Sequence, residues 1–196
     1  MLDAISNRRS IRAYKDLPIP KPVLEQILQA GTLAPSSKNR QPWKFTVVSG
    51  ASKQAMLSVM EQGLAREKGS PLLPGSRQHL PGAEYTLEII KKAPVTIFIM
   101  NTLGIPFSAS LTPEQRVYEI CNAQSIGAAI ENMALTATEL GLGSLWVCDT
   151  FFAYEELKSW LDSEGELFAA LTLGYADESP LPRPRKKKEA ITEWRS

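Results

Sequence analysis

Residues 35–43 have the sequence Pro-Ser-Ser-Lys-Asn-Arg-Gln-Pro-Trp, which is the most informative stretch of the chain. An apolar stripe before it predicts a helix over residues 22–30, with Pro22 in the first turn and Gly31 just past the end. Residues 43–48 alternate in a way that predicts a strand with one apolar face. The segment is therefore a polar connection between a helix and a strand, and its prolines limit its conformational freedom.

The length and composition of the chain indicate one globular unit. It has 196 residues, of which 43% are hydrophobic and 22% are charged. We expect a single domain over residues 1–196, in which residues 177–196 form an extended tail without a core of their own. A formal net charge of +1 argues against a general nucleic-acid binder. The apolar run at residues 95–100 is too short to cross a bilayer, and the N-terminus lacks a signal-peptide pattern. We therefore expect a cytoplasmic protein without membrane contact.

Histidine and cysteine are scarce. Cys121 and Cys148 each lie in an apolar stretch, which predicts small buried side chains rather than metal ligands or nucleophiles. His79 is the only histidine, and a Ser–His–Asp hydrolase would depend on it alone. This composition argues against transition-metal chemistry, so we expect no metal site.

The remaining pattern alternates helices and strands. Ser52 is predicted to cap a helix to residue 64, and Thr112, followed by proline, to cap a long helix to residue 140. The apolar run at residues 95–100 predicts a strand in the centre of a sheet. Further helices are expected at 83–92 and 154–161, strands at 144–148 and 167–173, and loops at 69–82 and 102–112. This order predicts an α+β or α/β protein, with a mixed central sheet flanked by helices.

Basic residues are concentrated at the two ends of the chain. Residues 8–12 are Arg-Arg-Ser-Ile-Arg, and residues 183–188 are Arg-Pro-Arg-Lys-Lys-Lys. Guanidinium groups and a serine hydroxyl suit a phosphate, but each cluster alone also fits a solvated basic patch. Ile191 and Trp194 beyond the second cluster suggest that the tail packs against something. One phosphate held by both ends would explain both clusters.

Two further segments suit a flat ligand. The amides of Asn39 and Gln41 both donate and accept, as the pyrimidine edge of a flavin requires, although an ordinary loop is the alternative. Residues 141–144, Gly-Leu-Gly-Ser, would let backbone approach such a ring, or would simply end a helix. They follow a helix and precede a strand, so they are not a dinucleotide-binding fingerprint.

In order and spacing these four segments resemble the FMN-dependent nitroreductase family over nearly the whole chain. The resemblance implies an α+β subunit in an intertwined homodimer, with FMN at the interface, NAD(P)H as co-substrate and the tail packed on the partner subunit. It implies that the phosphate is held by Arg8, Arg9, Ser10, Arg183 and Arg185, and that Arg12 reaches the pyrimidine side of the ring. It further implies that Pro35, Ser36, Ser37, Asn39 and Gln41 come from the other subunit, and that backbone at Leu145 and Trp146 faces flavin N5.

The implied activity is ping-pong transfer of electrons from NAD(P)H to nitroaromatic, quinone or similar electron-poor acceptors. The chemistry takes place at flavin N5, so no side chain is assigned as acid, base or nucleophile. Alternatives are another reaction on the same fold (dehalogenation, dehydrogenation or flavin fragmentation), a non-catalytic flavin-binding protein, or nucleic-acid binding through the basic tail. Residues 60–82 lack the ring contact that relatives often supply from mid-chain, and loops 66–82 and 102–112 do not identify the acceptor.

Overall fold

The computed structural model describes residues 1–73 and 75–195. Within them the chain forms six α-helices and four β-strands, joined by short 3₁₀ turns. The helices are α1 (Asp3–Asn7), α2 (Lys21–Thr32), α3 (Ser52–Gly69), α4 (Leu80–Lys92), α5 (Pro113–Glu139) and α6 (Tyr154–Leu161). The strands are β1 (Trp43–Ser49), β2 (Val95–Asn101), β3 (Gly143–Val147) and β4 (Glu166–Gly174).

The four strands form one sheet in the order β1-β2-β4-β3, and every neighbouring pair is antiparallel. The prediction of a mixed parallel and antiparallel sheet is therefore wrong, although the predicted α+β class is confirmed. The reason is the position of β4. Strands β2 and β3 run in the same direction and are connected through α5, but β4 lies between them and pairs with both. Among residues 1–73 and 75–195, parallel pairing is limited to one isolated bridge, between Ser10 and Ser144.

Helices cover both faces of this sheet. Phe98 and Met100 of β2 face a core formed with α3, α4 and α6, whereas Ile97 and Ile99 face a core formed with α2 and α5. All seven residues of β2 are buried. The central position predicted from its apolar sequence is therefore confirmed, because only a strand covered on both faces lacks polar alternation.

The predicted helix ends are confirmed at some positions and wrong at others. Thr112 accepts from the backbone N–H of Gln115, whose side chain accepts in turn from the Thr112 N–H, so α5 begins with a full capping box. Ser52, however, is the first residue of α3 and makes no capping hydrogen bond. Gly31 lies inside α2, where a Cβ atom would come 2.9 Å from Met133 Cγ, so this glycine allows close helix packing.

The N-terminal segment after α1 runs along the open edge of β3 and past the end of β4. Ile11 N–H donates to Ser144 O (2.9 Å), and Lys15 N–H donates to Tyr175 O (2.9 Å). The Tyr14 hydroxyl is buried and bonds to Ile11 O (2.8 Å) and to the Thr172 hydroxyl (2.7 Å). Burial raises the pKa of Tyr14. Residues 11–15 are thus fixed beside the end of the last strand, β4.

The predicted loop at residues 69–82 is partly helical, with a 3₁₀ turn at Ser76–His79 that leads directly into α4. At the C-terminus, every described residue from Leu181 onward is exposed, including Ile191 (66%) and Trp194 (83%). Ile191 and Trp194 are therefore not buried within their own subunit. No helix in the described part of the chain is long and apolar enough to cross a membrane.

Candidate functional site

The two basic ends of the chain meet at one open cavity of about 280 Å³. Its polar wall consists of Arg8, Arg9, Ser10, Arg12, Arg183 and Arg185, completed by Ile5, Ser6 and residues 180–182. Five guanidinium groups therefore share the cavity, and none of the described residues that line it is an aspartate or glutamate. The structure thus brings together the two clusters, as expected. That they hold a phosphate stays a prediction.

Most of these arginines are positioned by backbone carbonyls rather than by carboxylates. Arg9 Nη1 donates to Ser6 O (2.8 Å) and Arg8 O (2.9 Å), and Arg12 Nη1 donates to Ser10 O (3.2 Å). Arg8 is different, because its Nε lies 3.4 Å from a carboxylate oxygen of Glu131 on α5. A carbonyl orients a guanidinium without cancelling its charge, so the cavity keeps a surplus of positive charge suited to a dianion.

Glu178 does not line the arginine cavity, but it holds the backbone beside the cavity and was missed in the sequence. Its Oε1 accepts from the backbone N–H groups of Arg12 and Ala13, the latter at 3.2 Å. Asp177 N–H donates in turn to Ala13 O (2.9 Å). These bonds fix the backbone that carries Arg12. No sequence signal identified Glu178, because its partners are backbone groups that lie about 165 residues away in the chain.

Residues 35–41 form a strained, well-supported loop. Lys38, Asn39 and Gln41 have positive φ angles of 54°, 52° and 49°, a conformation that costs a non-glycine residue free energy and is concentrated at functional sites. Ser36 Oγ accepts from Gln41 N–H (3.0 Å), and Ser37 N–H donates to Ser125 Oγ on α5 (3.2 Å). The side chains of Asn39 and Gln41 remain exposed, with 3.2 Å between Oδ1 and Nε2.

This loop does not line the arginine cavity of its own subunit. Helix α5 separates the two, since Ser125 anchors the loop and Glu131 anchors Arg8. Six residues correspond to about 9 Å along a helix and about 120° around it, so the two anchors are on different faces of α5. The loop and Arg8 therefore lie against different parts of α5.

Backbone at the open edge of β3 is joined to the arginine cavity through Ser10, which lines the cavity and bridges to Ser144. Ser144 turns its carbonyl toward the edge, where it accepts from Ile11 N–H. Because this orientation repeats every two residues, Trp146 also turns its N–H outward, whereas Leu145 turns its N–H toward β4. The Leu145 side chain is buried and the Trp146 side chain is half-buried, on opposite faces of the sheet. Of the two expected ring contacts, Trp146 has the free N–H.

The cysteines do not form a second candidate site. Cys121 is half-buried and Cys148 is exposed, so the expectation that both are buried is wrong. Partial burial and the neighbouring Asp149 carboxylate both raise the pKa of the Cys148 thiol, which disfavours the thiolate. Within residues 1–73 and 75–195 no three His, Cys, Asp or Glu side chains cluster as metal ligands would.

Comparison with known proteins gives a consistent family. The model described as "Nitroreductase family" matches residues 5–175. The 4-nitrobenzoate reductase of Pseudomonas putida is 28% identical, covering 97% of this chain and 93% of the relative. The 5,6-dimethylbenzimidazole synthase of Rhodospirillum rubrum is also 28% identical, over 92% and 85%. A Desulfovibrio desulfuricans crystal structure in complex with FMN superposes with a TM-score of 0.69 at 26% identity, covering 100% of this chain and 96% of that one. The chain described here therefore belongs to the Nitroreductase family.

Proposed function

We propose that the chain is an FMN-dependent oxidoreductase that takes electrons from NAD(P)H and passes them to nitroaromatic, quinone or similar electron-poor acceptors. The observation that carries the proposal is the cavity in which five arginines converge with Ser10. A flavin mononucleotide ends in a dianionic phosphate, and such a group matches this charge and these donors. The similar Desulfovibrio desulfuricans chain, which was solved with FMN, supports the choice of ligand.

The residues present fit this cofactor in two further respects. Ser10 of the cavity bridges to Ser144 at the open edge of β3, two residues before Trp146, so a ligand anchored at the arginines would have the Trp146 N–H as a candidate donor. Arg12 would place positive charge beside the pyrimidine side of the ring, where it would favour the anionic reduced form. Bound FMN supplies the acceptor and donor of hydride, while the chain binds and orients it.

In this proposal the functional unit is a homodimer, and each chain forms one domain. On the first half of α5, Val117, Tyr118 and Ile120 are exposed, and Ile191 and Trp194 are exposed on the tail. Burial of such apolar side chains against a second subunit is favourable. The same association would carry residues 35–41 to the partner's arginine cavity and supply the ring contacts of Asn39 and Gln41. Light scattering on the purified protein should give twice the chain mass.

Subunit mixing tests whether the two chains share each site. Arg12→Ala and Asn39→Ala would each damage both sites of a homodimer, on opposite sides of the interface. In a mixed dimer one site carries both changes and the other carries none. After refolding of an equimolar mixture, half of the dimers are mixed and about a quarter of all sites are intact. Recovery of about a quarter of the wild-type activity supports shared sites, and no recovery contradicts them.

The flavin reaction has a direct test. The purified protein should be yellow, and its released cofactor should be FMN by mass. Under anaerobic conditions NADH or NADPH should bleach the flavin absorption, and 4-nitrobenzamide or benzoquinone should restore it. A colourless protein that does not bind added FMN refutes the proposal, as does a bound flavin that neither nicotinamide reduces.

A second candidate is a reaction that consumes the flavin itself. It is favoured by the similarity to the 5,6-dimethylbenzimidazole synthase of Rhodospirillum rubrum. The two candidates differ in the fate of the cofactor. If the reduced protein is exposed to oxygen without another acceptor, FMN should be recovered intact under the main proposal and should be lost to a smaller aromatic product under the alternative.

A further inference from the structure

A second cavity, of about 340 Å³, lies away from the arginines, between the α3–α4 connection and the residues that follow β3. Leu80 and Ala83 of α4 and Phe151 and Phe152 after β3 give it largely apolar walls. This volume falls in the range of sites for small organic ligands, which are commonly apolar with a few polar groups. The family resemblance gave no assignment for the α3–α4 connection.

One wall of this apolar cavity is fixed by a buried carboxylate. Glu67 of α3 is 2% exposed, and it accepts from Arg66 Nη1 (2.7 Å), from the Leu72 N–H (2.9 Å) and from the Ser76 hydroxyl. Burial raises the pKa of Glu67, but these hydrogen bonds outweigh burial and leave the pKa below its usual value. The carboxylate is thus ionised, paired with Arg66 and used to hold the connection in place.

The other ionisable groups of the apolar cavity are Asp149 and His79, both exposed at its rim. Asp149 Oδ1 accepts from the Phe151 N–H at 3.2 Å, so the carboxylate is held beside the aromatic wall. None of the described lining residues is a lysine or arginine. The cavity therefore attracts an uncharged aromatic molecule and repels an anionic one, the opposite preference from the arginine cavity.

The apolar cavity is also close to the backbone proposed to face the flavin. Asp149 is three residues after Trp146, a separation of at most about 10 Å along an extended chain. Phe151 continues into an aromatic cluster, because it stacks on Tyr154 (5.5 Å between centroids) and meets the edge of Phe107 (6.0 Å). The aromatic surface thus runs from the cavity to Phe107 in the loop over residues 102–112.

We propose that this apolar cavity binds the aromatic ring of the electron acceptor, and that Asp149 makes the enzyme select uncharged nitroarenes over carboxylated ones. The inference rests on the proposed function, since it assigns a substrate class to the same flavin reaction. In that reaction a nitroarene takes two electrons from the reduced flavin and two protons, and it leaves as a nitrosoarene and water. NAD(P)H restores the two electrons.

The test compares 4-nitrobenzamide with 4-nitrobenzoate, which have similar size but differ by one negative charge. The flavin of the holoenzyme is reduced with dithionite, so that the result does not depend on NAD(P)H, and its reoxidation by each acceptor is followed by stopped flow. We expect the amide to react at least about tenfold faster than the carboxylate. Asp149→Asn keeps an acceptor for the Phe151 N–H and should reduce this preference about three- to tenfold, the effect of one charge at about 6 Å at effective dielectric constants of about 40 to 80.

Two further variants complete the design. Glu61→Gln removes a charge from an exposed position of α3 that does not line the cavity, and it should leave the preference unchanged. Ala83→Leu extends into the cavity and should slow reoxidation by the amide about tenfold. Equal rates for the two acceptors in the wild type, or an unchanged preference in Asp149→Asn, overturn the inference while the proposed function stands. Failure of NADH and NADPH to reduce the flavin, with the acceptor preference intact, refutes the proposed function, whereas the assignment of the acceptor ring to this cavity stands.

Discussion

The proposal that both ends of the chain bind one phosphate is tested most directly at Arg183. This side chain reaches the arginine cavity from an exposed part of the tail, and its backbone carbonyl has only a 3.3 Å bond, from Arg185 Nη1. Arg183→Ala therefore leaves both hydrophobic cores untouched. If the tail contributes to the phosphate site, the change weakens FMN binding without changing the stability of the cofactor-free protein.

The expected loss follows from two opposing contributions. A charge-assisted hydrogen bond contributes about 1.5–3 kcal/mol. Ordering the side chain of an exposed arginine costs up to about 1.5–2 kcal/mol, which offsets much of that gain. The net loss for Arg183→Ala should be about 1 kcal/mol, or about a fivefold higher Kd. Together with Arg185→Ala it should reach about 2 kcal/mol, or about thirtyfold.

Quenching of flavin fluorescence during titration of the cofactor-free protein measures these constants. FMN and riboflavin differ only in the phosphate, so the affinity for riboflavin should be the same in wild type and variants. Lys186→Ala is the matched control, because it removes a positive charge from the same tail outside the cavity. An unchanged Kd for FMN in the double variant, or an equal loss of affinity for riboflavin, would refute a phosphate site shared by the two ends of the chain.

Three further predictions concern stability, measured by urea unfolding. Gly63→Ala should cost about 3 kcal/mol, because its Cβ would come 2.4 Å from Ala153 Cα, whereas Gly69→Ala, with nothing within 4 Å, should cost nothing. Glu67→Gln should lower the free energy of unfolding by about 1.5–3 kcal/mol at pH 7. Because folding lowers the pKa of Glu67, this difference is present above pH 4.5 and should shrink as the pH falls through the pKa of Glu67 in the folded protein. Burial raises the pKa of Glu119, so ionisation of this carboxyl opposes folding. Glu119→Gln should therefore stabilise the protein by about 1 kcal/mol at pH 7 and by less at pH 4. An equal effect at both pH values contradicts this explanation.

Local patterns in the sequence predicted most of the elements correctly. The Thr112 cap and proline located the start of α5, the apolar run located β2 as a central strand, and α6 was predicted with its observed bounds. These signals depend on residues that are neighbours in the chain. The antiparallel pairing was not predictable in this way, because it depends on β4, the last strand, entering between β2 and β3.

In the candidate site, too, features that depend on local sequence were predictable and features that depend on tertiary contacts were not. The sequence supplied the residue types for a phosphate site, and the structure brings both clusters to one cavity. The role of Glu178 could not be predicted from the sequence, because its side chain bonds to backbone groups. The left-handed conformations of Lys38 and Gln41 could not be predicted either, because residues of these types prefer negative φ angles. Gly31 was misplaced because its contact with Met133 depends on tertiary packing, which outweighed the usual position of glycine after a helix.

The meeting of the two chain ends at one cavity has a consequence for biosynthesis. Arg12 leaves the ribosome early, whereas Arg183 is added near the end, and β4, which joins the two halves of the sheet, is also among the last segments made. Folding during translation therefore cannot complete the arginine cavity before most of the polypeptide exists. A product terminated before β4 would lack both the sheet's joining strand and two of the five arginines of the cavity. If the cavity binds FMN as proposed, flavin retention would separate full-length protein from such fragments during maturation.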